Sequence, residues 1–103
     1  NIKLEIIYTP GHTEGSICYF ANFDDNKFLF SGDTLFPGGP GKTIDSQNFK
    51  KIYESIKNKL YILPKDTVIL PGHGDSIKIE DSIKEFNHFE YKNYISGDIS
   101  WTK

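Results

Sequence analysis

Apolar and polar residues alternate at the start of the chain, with Ile2, Leu4 and Ile6 set against Lys3 and Glu5, before Ile7-Tyr8 runs into Thr9-Pro10-Gly11. A period of two predicts a strand over residues 2–8 that stops in a turn. Residues 16–20 and 27–30 read as two further strands, joined by the turn-forming run Asn22, Phe23, Asp24, Asp25 and Asn26 as a hairpin-like connection. Glycine and proline dominate residues 35–44, which predicts a loop. Asp45 or Ser46 can then cap a helix on which Phe49, Ile52, Tyr53, Ile56 and Leu60 share one face. Pro64-Lys65-Asp66 turns the chain into a short β-branched strand at 67–70, and residues 79–89 carry a second amphipathic pattern. The aromatic tail, 91–103, is expected to add a final short strand at 99–101.

The order β-β-β-α-β-α predicts an α+β fold, a mixed sheet with helices on one face. Two helices cannot cover both faces of such a sheet, so its second face is expected to need a partner. The sequence has no methionine and opens on Asn1 directly before a strand. The chain of 103 residues is therefore expected to begin inside a longer polypeptide and to be one segment of a single domain.

Charge excludes some functions. Twelve lysines face 14 acids for a formal net charge of -2, there is no arginine, and no basic tail or patch would draw nucleic acid. No apolar run approaches the roughly 18 residues of a membrane span, and no signal-like segment leads the chain. Cys18 is the sole cysteine, which excludes an internal disulfide, predicts a small core residue, and points to a reducing, cytoplasmic location.

Two stretches carry candidate chemistry. FPGGPGKT at 36–43 ends like a Walker A loop, but Phe36 replaces its first glycine, and Pro37 and Pro40 remove two backbone donors from a phosphate cradle. Pro-Gly-His occurs twice, at 10–12 and 71–73, each time after an apolar strand. Glycine before histidine lets the chain turn sharply and sets His12 and His73 on the rim of the sheet. Asp33 follows the strand at 27–30 in the same way. Two imidazoles and a carboxylate suit zinc, or iron as a two-histidine, one-carboxylate set. His88, among Phe86, Phe89 and Tyr91, matches no motif and reads as a packed, aromatic-like residue.

The strings TPGHTEGSICYF, LFSGDTLF and TVILPGHG, in that order, resemble the metallo-β-lactamase fold superfamily, and most closely its small glyoxalase II-like hydrolases. The resemblance spans about residues 4–79 and implies the C-terminal half of an αββα sandwich. It also implies that His12 binds one metal, Asp33 bridges two and has the catalytic role of orienting the attacking water, and His73 binds the second metal. The family's remaining ligands lie in an upstream H-x-H-x-D-H motif, which this sequence lacks. The implied activity of the complete domain is hydrolysis of a thioester or ester by a metal-bound hydroxide, with two zinc ions per site. Relatives with the same signature that oxidise persulfides with a single iron are the alternative. A third reading is a non-catalytic half-domain that assembles with a complementary N-terminal half or with itself. In glyoxalase II-like relatives a basic residue closes the loop after the bridging aspartate; Lys42 stands there, either to meet a substrate carboxylate or as an exposed loop lysine.

Overall fold

The computed structural model describes residues 2–102, so Asn1 and Lys103, the two ends of the expected 1–103 segment, lie outside the described residues. Five strands form one mixed sheet in the order β1-β2-β3-β6-β7: β1 Ile2–Tyr8, β2 Ile17–Phe23, β3 Asn26–Gly32, β6 Val68–Pro71 and β7 Ile77–Lys78. β3 and β6 run parallel and the other pairs antiparallel. Helices α1, Ser46–Ser55, and α2, Ile79–Phe86, complete the α+β architecture expected from the sequence.

Alternation within the strands decides the layers. Cys18, Leu29 and Ile69 point inward and join Phe49, Ile52, Ile56, Leu60, Ile79 and Trp101 in a core closed to solvent. The opposite face carries cross-strand apolar rows such as Ile6, Tyr19 and Phe30. On that face Ile2, Leu4 and Ile6 each expose 60% or more of their surface, and Tyr8, Phe23 and Phe30 about half. Sheets tolerate water on one face when that face is polar, and this one is not.

Local chemistry accounts for the departures from expectation. The β2–β3 turn is tighter than the five-residue connection, because Asp24 and Asp25 both take positive φ (48° and 67°), as a two-residue hairpin turn demands. The stretch expected as a loop at 35–44 contains a hairpin, β4 Leu35–Phe36 against β5 Gly39–Pro40, closed by the Pro37-Gly38 turn with Gly38 at φ 97°. Asp45 is the cap of α1, accepting the Asn48 N–H at 2.8 Å. The helix ends in a π-helical turn, Ile56–Leu60, whose wider coil closes with the Tyr61 N–H on the Ile56 carbonyl at 2.9 Å. α2 stops at Phe86, three residues early. The strand expected at 99–101 does not form, because the Trp101 N–H bonds to the Gly38 carbonyl (2.7 Å) while its ring is buried against Tyr53, Phe86 and Phe89.

Candidate metal centre

Three loops at one rim of the sheet bring His12, Asp33 and His73 together. His12 follows β1 through Thr9-Pro10-Gly11, where Gly11 adopts φ 145° and a Cβ would stand 2.3 Å from Cβ of Ile52. Helix α1 can approach the histidine loop that closely only because Gly11 has no side chain. The Ser55 hydroxyl adds a bond to the Pro10 carbonyl at 3.3 Å.

Asp33 stands just beyond an irregularity in the sheet. Between Phe30 and Gly32 the β3–β6 register gains one residue on β3, while β6 advances by one from Leu70 to Pro71. Such a bulge re-aims the chain at a strand end. Beneath it lie buried polar side chains: Thr9 Oγ1 is 3.3 Å from Thr34 Oγ1 and 3.4 Å from Cys18 Sγ, and the Ser31 hydroxyl donates to the Leu35 carbonyl at 2.7 Å. Cys18 is the buried core residue expected, and burial pushes its thiol above the ordinary pKa.

His73 leaves β6 through Pro71-Gly72. Here the expectation of a sharp turn needs correction, because positive φ falls on Gly74 (85°) after the histidine and not on Gly72. Gly72 instead serves close approach: its N–H donates to the Gly32 carbonyl at 2.8 Å, and a Cβ would sit 3.4 Å from Oδ1 of Asp33.

The resulting geometry divides one carboxylate between two imidazoles. Asp33 Oδ2 is 3.8 Å from His12 Nε2, and Asp33 Oδ1 is 3.5 Å from His73 Nδ1. His12 Nδ1 lies 2.7 Å from the Lys42 carbonyl oxygen. A carbonyl only accepts, so Nδ1 carries a proton, and Nε2 is the ring nitrogen turned toward Asp33. The His73 ring meets Phe36 edge-on, with centroids 4.9 Å apart.

Two donors on one zinc ion, each at about 2.1 Å, stand roughly 3.4 Å apart across a tetrahedral edge. The two histidine–oxygen separations, 3.5 Å and 3.8 Å, lie at and somewhat beyond that edge, and each pairs one imidazole with one carboxylate oxygen. Zinc takes three or four protein ligands, and among the described residues no group of three or more His, Cys, Asp or Glu gathers round a single point.

His12, Asp33 and His73 open on a cleft of about 500 Å³ that Phe36, Lys42 and Asp98 also line. Lys42 is exposed, is among the residues lining this cleft, and turns its carbonyl to His12. The nucleotide reading of residues 36–43 fails on hydrogen bonding: the Gly41 N–H is spent on the Thr34 carbonyl (2.9 Å) and the Thr43 N–H on the Gly97 carbonyl (3.1 Å), leaving neither for a phosphate. His88 is exposed, not packed, because α2 ends before it, and it lines a separate hollow with Tyr94 and Asp98. Asp98 also lines the cleft, and no sequence motif marks it.

Strand ends at one rim of the sheet present two histidines and a carboxylate between them, and comparison with known proteins names the family. The chain belongs to the metallo-beta-lactamase superfamily, whose family model matches residues 2–73. It is 39% identical over 90 residues to an uncharacterised protein of Mycobacterium leprae, covering 86% of this chain and 40% of the relative. A probable metallo-hydrolase of Bacillus subtilis is 43% identical over 72 residues, 69% of this chain and 33% of the relative. A probable hydroxyacylglutathione hydrolase of Schizosaccharomyces pombe is 37% identical over 110 residues, covering 97% of this chain and 43% of the relative. Among solved structures, a metallo-beta-lactamase of Staphylococcus aureus superposes with TM-score 0.73 at 30% identity, over 82% of this chain and 29% of that one. A protein solved in a di-iron-bound form superposes with TM-score 0.61 at 27% identity, over 79% of this chain and 40% of that one. The chain thus spans about two fifths of the length of the curated relatives it matches.

Proposed function

We propose that His12, Asp33 and His73 are ligands of a two-metal centre, with Asp33 as the bridge, and that in the complete domain this centre hydrolyses a thioester or ester in the glyoxalase II-like manner. The observation that carries the reading is the division of the Asp33 carboxylate, one oxygen toward each imidazole. Metal bound there would lower the pKa of a coordinated water toward about 7 and polarise the substrate carbonyl. The chain's own part is orientation. Lys42 holds the His12 proton on Nδ1 and frees Nε2, and Asp33 keeps both oxygens directed at the ligand positions. Lys42 is among the residues lining the cleft, and its ammonium is the proposed anchor for a substrate carboxylate. A thioester suits the site because a thiolate departs without a protein acid to protonate it, and the relative called a hydroxyacylglutathione hydrolase supports an acylated thiol.

Zinc is the proposed metal. The neighbour in a di-iron-bound form makes iron the alternative. The exposed apolar face of the sheet supports a covering layer, for which we propose the complementary half of the domain, with self-association as the competing arrangement. Among the described residues no helix is long and apolar enough to cross a membrane, and the free, buried Cys18 is in keeping with a cytoplasmic setting.

Metal content tests the reading. Plasma mass spectrometry is run on the chain, alone and mixed with a complementary half-domain, and on its Asp33→Ala and His73→Ala variants, beside release of free thiol from an acyl-glutathione. Zinc near one per chain or more, reduced in both variants, supports the centre; iron in its place turns the assay to persulfide oxidation. Metal retained equally by both variants would sink the ligand assignment.

A further inference from the structure

The C-terminal tail reaches back across the fold to the loop that holds His12. The Thr43 N–H donates to the Gly97 carbonyl at 3.1 Å, and the Gly97 N–H returns a bond to the Thr43 carbonyl at 2.9 Å. Four residues on, the Trp101 N–H donates to the Gly38 carbonyl at 2.7 Å, and the Ser100 hydroxyl donates to the same oxygen at 3.3 Å. Glu85 of α2 accepts the Gly38 N–H at 2.9 Å. Trp101, fully buried, anchors the far end of this strap.

The strap and the loop are in contact throughout. A Cβ on Gly39 would stand 2.5 Å from the Ile99 carbonyl oxygen. Between the two fastened points lies Lys42, whose carbonyl receives the His12 Nδ1 proton at 2.7 Å. Its neighbours are both tied, Gly41 to Thr34 and Thr43 to Gly97, so the direction of that carbonyl is not free.

We propose that the strap, residues 97–101, is a positioning element for the metal centre, and that Gly97, through Thr43 and the Lys42 carbonyl, holds His12 in the tautomer whose Nε2 is free to ligate. The role extends the proposed metal-binding reading, but it is stated for the chain's own imidazole. Gly97 suits the task because it combines φ 89° with a donating N–H, a pairing that proline cannot supply and asparagine tolerates.

The test is ¹⁵N NMR of the His12 ring in the whole chain, at a pH well above the histidine pKa. The wild type and Gly97→Asn are expected to show one tautomer, protonated at Nδ1. Gly97→Pro is expected to lose it, giving a mixture of both tautomers. Gly39→Ala, which wedges the strap off the loop from the other side, repeats the test if Gly97→Pro does not fold. Leu60→Ala, a core change away from the strap, should lower the melting temperature and leave the tautomer unmixed, separating positioning from general loosening. A single Nδ1–H tautomer in folded Gly97→Pro or Gly39→Ala, or an Nε2–H tautomer in the wild type, overturns the proposal. An Nδ1–H tautomer with no metal bound at His12 in the complete domain would overturn the metal reading and leave the strap's role standing.

Discussion

The Nδ1 atom of His73 lies 3.5 Å from Oδ1 of Asp33, on the opposite side of that carboxylate from His12. Of the three side chains His73 is the most exposed, at 77%, against 54% for Asp33 and 31% for His12. His12 is held by the Lys42 carbonyl, whereas His73 is steadied chiefly by Asp33 and the edge of Phe36.

Removing the shared carboxylate should cost both sides of the centre together. Asp33→Ala is expected to weaken metal binding by well over tenfold, since even an outer-shell partner is typically worth roughly 10–100-fold. His88→Ala, at an exposed residue off the cleft, should leave metal content unchanged. Titration of the complete domain with cobalt(II), followed by its visible absorption, reads both, and equal affinities for Asp33→Ala and the wild type would refute the shared-carboxylate role.

Lys42 meets His12 through its backbone, while its proposed contact with substrate would use the side chain, so the two contributions separate. Lys42→Ala keeps the carbonyl and should leave metal affinity intact. Loss of a charge-assisted contact of about 1.5–3 kcal/mol should raise KM for a carboxylate-bearing thioester by roughly 10- to 100-fold. An unchanged KM would reduce Lys42 to an ordinary surface lysine.

Gly41 allows the loop to lie directly on the site. A Cβ there would overlap the Asp33 carbonyl oxygen at 1.8 Å and approach Cγ of His12 at 3.3 Å. Both neighbours are constrained, so Gly41→Ala is expected to destabilise the fold by about 1–3 kcal/mol or more. Gly15→Ala, with open space round the added carbon, should be nearly neutral. Urea unfolding midpoints compare the two, and a harmless Gly41→Ala would contradict the packing described.

Alkaline pH should loosen the chain. Burial raises the pKa of Cys18 and of Tyr61, so the folded chain holds protons that the unfolded chain releases. The stability tied to each group is complete below its unfolded pKa, about 8.5 for Cys and about 10 for Tyr, and is lost as pH rises toward the folded value. The slope is at most about 1.4 kcal/mol per pH unit for each group. The unfolding midpoint should start to fall above about pH 9, and Cys18→Ala should remove the earlier part of the decline. A midpoint flat to about pH 11 would refute the assignment.

Much of this protein is local, and what is local was legible. Alternation in residues 2–8 specified β1, the helical spacing of Phe49, Ile52, Ile56 and Leu60 specified the buried face, and Asp45 supplied its own cap. Pro-Gly-His placed both histidines at strand ends, and the family pattern picked out Asp33 between them. Each of these signals is complete within about a dozen residues.

Tertiary contacts decided the rest. Residues 35–44 look like a loop because Gly and Pro suppress strand patterning, yet Pro37-Gly38 closes a hairpin whose Gly38 carbonyl receives Trp101. The tail reads as a strand from its apolar spacing, but Trp101 gains more by burial among Tyr53, Phe86 and Phe89 than by pairing in the sheet. His88 falls outside that cluster because α2 ends at Phe86. The division of Asp33 between two imidazoles and the Lys42 bond that fixes the His12 tautomer join residues 21 to 40 positions apart, and only the folded chain sets such separations.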